Sequence, residues 1–247
     1  MMSEVHVYGV VAAAATPELT DQGHRLIAHR DVAALVSDID RDGLRAASVL
    51  RAHWRVLEQA VAVTTVLPVR FGTVMADDDA VVAEFLGPAH DVLAARLADM
   101  AGKVQLTVKG FYDQDALMAG VVESSRTIAR LREQVLALPE AAAYYKRIEL
   151  GQLVAAEVER QREHDANGIF ERLRPLALAA KLEAPSTPDA AVHAAFLVGE
   201  ERIAAFSDAV AALGGELEGR IRLRYLGPLP PYSFTAEEAT AEAGAWA

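Results

Sequence analysis

The sequence predicts an α+β protein of two domains. Runs rich in β-branched and aromatic residues with period-two alternation recur along the chain, the clearest being KVQLTVKGFYD from Lys103. Between them lie stretches whose apolar residues recur at helical spacing. Their order fits two small units of mainly antiparallel strands, each with helices on one face of its sheet, rather than one doubly wound parallel sheet. Its length of 247 residues gives two modest domains enough surface to bury cores.

Taken in order, VHVYGVV (Val5 to Val11) reads as a strand with Val5, Val7 and Val11 on one face. RLIAHR and DVAALVSDI follow almost without a break and read as a short hairpin, although the second also fits a helix. ASVLRAHWRVLEQAVAV places Leu50, Trp54, Leu57 and Val61 at helical spacing, an amphipathic helix. TVLPVRFG is a strand ending in glycine, and Pro68, with no N–H to donate, belongs at an edge or bulge. DDDAVVAEFL opens on acids suited to a helix N-terminus, and Gly87-Pro88 is expected to interrupt it before the helix AHDVLAARLADMAG.

In the second unit, Val104, Leu106 and Val108 alternate with Gln105, Thr107 and Lys109 on a strand. The region from about Asp113 to Glu183 is mostly helical, with Ile148, Val154 and Val158 marking an apolar stripe. From Glu159 to Asp165 no residue is apolar, so this stretch is expected to leave the core. AVHAAFLV, EERIAAFSDAVAAL and GELEGRIRLRYLG then give strand, helix and strand. The expected division is an N-terminal ferredoxin-like domain, 1–102, and a C-terminal α+β domain, 103–247. The second carries a helical insertion over about 113–183 and a flexible tail from about 236.

Charge and composition narrow the functions. The formal net charge of −11 argues against a general nucleic-acid surface and leaves room only for a local basic patch. The absence of cysteine excludes disulfides and thiolate chemistry. The first residues lack the basic region of a secretory signal, and no apolar run is long enough to span a bilayer. Glycine-rich phosphate loops, nucleophile elbows and zinc-protease motifs are missing. The histidines are scattered, and Asp77-Asp78-Asp79 lacks calcium-loop spacing and reads as a helix cap. No metal and no organic cofactor is expected.

Two features point to a partner. Arg220, Arg222 and Arg224 recur with period two, a row of cations on one strand face able to meet carboxylates of a covering helix or of a partner. RYLGPLPPYSF ends the last strand at Gly227 with prolines, which cannot extend a ladder, and offers Tyr232 and Phe234 for burial or binding.

VHVYGVV, VLPVRFGTVMADDDAVVAEFL, VQLTVKGFYD, YYKRIELGQLVAAEVERQREHDA and RIRLRYLGPLPPYSF stand in this order across nearly the whole chain. With these motifs the chain resembles the gas vesicle protein family GvpF/GvpL, the F branch in particular. The resemblance implies a non-enzymatic accessory or minor structural protein of gas vesicle assembly. It implies contact with the shell protein GvpA and other gas vesicle accessory proteins, and none with nucleic acid or membrane. It implies a place in the gas vesicle, and in the cytoplasm before assembly. Arg220, Arg222, Arg224, Tyr232 and Phe234 are the candidate contact residues. The competing reading is a small-molecule-binding or catalytic ferredoxin-like protein, which requires a pocket of converging polar groups.

Overall fold

The computed structural model describes residues 4–14, 19–20, 24–39, 47–140, 142–185 and 187–235. The expected flexible tail lies outside these residues. The chain is α+β and forms two compact units, one taking the described residues of Met1–Leu106, Leu197–Glu200 and Leu226–Ala247, the other those of Thr107–Phe196 and Glu201–Tyr225.

The sheet of the first unit contains β1 (Glu4–Ala12), β2 (Arg25–His29), β3 (Val32–Ile39), β4 (Leu67–Pro68) and β5 (Val74–Met75). Its order is β2-β3-β1-β4, with β5 also on β1, and the pairs are antiparallel. DVAALVSDI is thus a strand. Pro68 sits opposite Gly9 on the edge strand β4, where its missing N–H costs no ladder bond.

The even alternation read for β1 breaks at Tyr8, where the register against β3 shifts between Val7 and Gly9. An extra residue in a strand reverses the facing of everything after it. Val5, Val7 and Val10 therefore share one core, while Tyr8 and Val11 belong to another. Gly9 sits at the bulge because a Cβ there would come 2.8 Å from the Leu67 carbonyl oxygen and 2.9 Å from Val66.

Both faces of this sheet are covered, not one as the sequence suggests. On one face α1 (Ala47–Val61) packs Val56, Leu57 and Ala60 against Tyr8, Val11 and Leu35. On the other, Val81, Leu86, Leu97 and Met100 pack against Val5, Val7 and Val36. The sequence signal is visible afterwards: Val32 to Val36 is apolar at every position, the mark of a strand buried on both sides. The buried stripe of α1 is also rotated from the expected one, running through His53, Val56, Leu57 and Ala60, with Leu50 and Trp54 more than a third exposed.

Gly87-Pro88 does not interrupt the second helix. α2 (Asp78–Ala80), a π-helical stretch Val81–Leu86 and α3 (Gly87–Met100) run on as one, with Asp77 accepting from the Ala80 N–H at the start. The wider turn, with Gly87 N–H donating to the Val82 carbonyl, makes room for a proline that cannot donate.

The second sheet has the order β7-β8-β6-β9, from β6 (Lys103–Tyr112), β7 (Ala179–Leu182), β8 (Ala190–Gly199) and β9 (Ile221–Leu229). β6 stands between β8 and β9 and runs antiparallel to both: Tyr112 N–H donates to Asp189 and Glu200 N–H to Gly102 on one side, and Asp113 N–H to Arg220 on the other. The strand–helix–strand succession at the end of the chain thus brackets β6 instead of making neighbours. The short β7 was not legible as a strand. β9 continues past Gly227 to Leu229, further than its prolines suggest.

In the second unit, Phe196 from β8 and Phe206 from α7 (Ile203–Glu216) pack with ring centroids 5.1 Å apart, and Phe170 lies 5.7 Å from Phe196. The helical insertion is α4 (Gln114–Ser124), α5 (Arg126–Ala137) and α6 (Tyr144–Leu173). Asp113 and Ser125 cap α4 and α5 through their side chains. The thirty-residue α6 buries only Asp165, Ala166, Ile169 and Leu173.

Candidate partner-binding surfaces

The arginine row divides on folding. Arg220 precedes β9, and its Nη1 donates to both Oδ1 and Oδ2 of Asp165, each at 2.8 Å. Tyr112 OH donates to Asp165 Oδ2 at 2.8 Å. Burial, then this bond, raises the Tyr112 hydroxyl well above its ordinary value. Three elements, β6, α6 and the start of β9, thus meet on one buried carboxylate, whose charge is tolerable because each oxygen has a donor.

That junction corrects the reading of Glu159 to Asp165 as a stretch outside the core. Asp165 is buried, and Arg162 is half-buried, donating from Nε to the Ala190 carbonyl at 3.0 Å and from Nη2 to the Pro188 carbonyl at 2.7 Å. Charged residues enter here because each finds a partner. The signal was present in the spacing: counting back from Leu173 through Ile169 by helical steps leads to Ala166 and Asp165.

Arg222 and Arg224 stay exposed. The Arg224 guanidinium lies 5.2 Å from the centre of the Phe111 ring, and Arg222 makes no ion pair among the described residues. Arg222 lines an open groove of about 970 Å³ with Asp113, Gly214, Arg220 and Tyr225. Two of its polar groups are already committed, Asp113 to the α4 cap and Arg220 to Asp165.

Tyr232 and Phe234 turn inward within the first unit. Pro230 and Pro231 are buried, and residues 232–235 form one helical turn in which Phe234 N–H donates to the Pro231 carbonyl. The Tyr232 hydroxyl is 3.1 Å from His53 Nε2, and its ring lies 4.8 Å from that of Trp54. Phe234 packs on the core that holds Val5 and Val7. Ser233 N–H donates to Gln105 Oε1, and Arg96 to the Thr235 carbonyl.

Behind Tyr232 lies a pair that the sequence reading missed. His6 Nε2 is 3.0 Å from His53 Nδ1, and both rings are buried. Nδ1 of His6 has no hydrogen bond of regular geometry. Burial lowers the pKa of His6, a backbone contact with Thr73 offsetting part of the effect. Burial and the neighbouring His6 lower that of His53 to about 4. The facing nitrogens have room for one proton between them, so the neutral pair is the stable one. Alternation on β1 gave no warning, because His6 sits among valines on a strand buried on both faces.

Comparison with known proteins completes the assignment. Residues 4–236 match the family described as "Gas vesicle synthesis protein GvpL/GvpF". The chain belongs to the GvpL/GvpF family. It is 32% identical over 238 residues to gas vesicle protein F of Streptomyces sp., covering 93% of this chain and 98% of that one. It is 31% identical over 187 residues to gas vesicle protein F of Nostoc sp., covering 75% and 76%. The crystal structure of the gas vesicle protein GvpF from Anabaena sp. aligns with a TM-score of 0.78 at 28% identity, over 94% of this chain and 98% of that chain. GvpF from Microcystis aeruginosa aligns at 0.77 and 25% identity, over 94% and 99%. The fold shared with GvpF thus includes both antiparallel sheets. Among the described residues no helix is long and apolar enough to cross a membrane.

Proposed function

We propose that this protein is a non-catalytic assembly factor or minor structural component of the gas vesicle. It binds the shell protein GvpA and assists nucleation or holds the shell protein back from aggregation. It acts in the cytoplasm before assembly and at the vesicle afterwards. The observation that carries this reading is membership of the GvpL/GvpF family along residues 4–236. A shell protein that self-assembles exposes apolar surface and unpaired strand edges beforehand, and both need shielding. Of the residues first considered for contact, Arg222 and Arg224 are the ones that stay exposed on β9. Arg220 is committed to Asp165 within the second unit, and Tyr232 and Phe234 are packed into the first.

The test is direct binding to purified GvpA, with the Arg222→Glu/Arg224→Glu variant beside the parent chain. Binding by the parent at low salt supports the reading, and weaker binding by the folded variant assigns the contact to β9. A parent chain that fails to bind GvpA at any salt concentration overturns it. Deletion of the gene in a vesicle-forming host is the second arm, and normal vesicle number and shape in the deletion strain count against a role in assembly.

A further inference from the structure

The three most exposed large apolar side chains among the described residues of the second unit, Tyr145, Leu136 and Tyr144, gather with Ile148 at the connection between α5 and α6. Leu136 near the end of α5 is 73% exposed, and Tyr144, Tyr145 and Ile148 in the first turns of α6 are 60%, 81% and 44% exposed. Tyr144 and Tyr145 lie four and three residues before Ile148, so all three share a helix face. The two tyrosine rings meet edge to face, with centroids 5.2 Å apart. The helices are held together beside them, Lys146 donating to Gln134 and Arg147 pairing with Glu140. Together the four side chains offer on the order of 400–500 Å² to solvent, as large as the largest patch on a typical monomer.

The charge around this patch opposes that of the chain. Residues 126–149 hold five cations (Arg126, Arg130, Arg132, Lys146 and Arg147) against Glu133, Glu140 and Glu149, a net +2 in a chain of net −11. Arg126, Arg130 and Arg132 are exposed and make no ion pair among the described residues. Arg132 lies one turn before Leu136 on the same face of α5. An apolar surface rimmed by free arginines suits an occupant whose apolar segment is flanked by carboxylates. Aromatic anchors in a charged rim are the usual composition of a protein–protein contact. The negative charge of the rest of the chain disfavours a nucleic acid.

We propose that the α5–α6 tip is a docking surface for an acidic-flanked apolar segment of a protein partner. It seats that segment on Leu136, Tyr144, Tyr145 and Ile148 and steers it with Arg130 and Arg132. The proposal rests on the reading above and takes the shell protein as that partner.

The experiment measures affinity for purified GvpA, kept soluble as a fusion, at about 50 mM and about 300 mM salt. Tyr144→Ser/Tyr145→Ser is expected to bind about tenfold more weakly with an unchanged circular-dichroism spectrum and melting temperature. Arg130→Glu/Arg132→Glu is expected to weaken binding at low salt and to lose most of the salt dependence. A photo-crosslinking residue at position 145 is expected to label GvpA. If the parent binds and the serine variant binds equally well, this surface is wrong while the functional reading stands. If the parent does not bind at all, both fall. Binding of the parent to phosphatidylserine vesicles or to an oligonucleotide, abolished in the variants while GvpA affinity is unmoved, overturns the protein partner.

Discussion

Arg220 and Asp165, fifty-five positions apart, meet at the start of β9, with one guanidinium nitrogen 2.8 Å from each carboxylate oxygen. The partners are unequally sheltered, the Asp165 side chain 6% exposed and that of Arg220 40%. The ion pair therefore belongs to folding first. Arg220→Glu sets a second carboxylate against a buried one and is expected to lower stability by about 2–4 kcal/mol, read from urea midpoints. Arg222→Glu/Arg224→Glu is expected to stay within about 0.5 kcal/mol of the parent. Equal effects from the two variants would contradict this division.

The His6–His53 pair makes stability depend on pH. Both pKa values are lowered on folding, that of His53 to about 4, so the unfolded chain binds more protons between about 6.5 and 4. Stability from the neutral pair is complete above pH 6.5, falls as pH drops through this window, and is fully lost below the folded value. The expected loss is of the order of 2–3 kcal/mol. Urea midpoints across the window should fall less steeply for His53→Gln than for the parent. Parallel slopes would show that other groups govern the acid limb.

Tyr232 is expected to behave as a clamp. Tyr232→Phe removes only the hydroxyl facing His53 and should cost about 1 kcal/mol. Tyr232→Ala also removes the packing against Trp54 and should cost about 2–4 kcal/mol, with faster proteolysis after residue 230. Equal midpoints for parent and alanine variant would sink this account.

Glycines give a paired test of packing. Gly9→Ala forces a Cβ to within 2.8 Å of the Leu67 carbonyl and is expected to destabilise by about 1–3 kcal/mol. A Cβ on Gly214, in α7, meets nothing within 4 Å, so Gly214→Ala should stabilise by about 0.5–1 kcal/mol. Thermal melts of the two variants are expected to move in opposite directions.

Much of the fold was legible because strand and helix periods are local. β6 and β8 and the long helices follow directly from alternation and spacing. What escaped depends on one residue or on distant ones. The β1 bulge turns on Tyr8 alone, and without it alternation puts Val11 rather than Val10 on the face of Val5 and Val7. The π turn before Pro88 is a compromise between a missing donor and helix continuity. Phe71 is only half-buried, its ring 5.3 Å from that of His53. Asp165 and His53 were hidden because a polar residue is read as surface until its partner is known. Those partners, Arg220 and Tyr232, arrive from the far end of the chain. The exposed tyrosines at the α5–α6 tip are invisible for the converse reason, since sequence alone reads aromatics as core.

The uneven burial of α6 has a mechanical consequence. A thirty-residue helix is about 45 Å long, and its buried contacts lie in its last third, from Asp165 onwards. It is a cantilever, stiffened along its side by α4 and α5. Roughly 30 Å separates the anchor at Asp165 from Tyr144, so a tilt of about 10° at the base would sweep the tip through ~5 Å. Load applied at the tip acts with that leverage on the Asp165–Arg220 joint, where α6 meets the sheet.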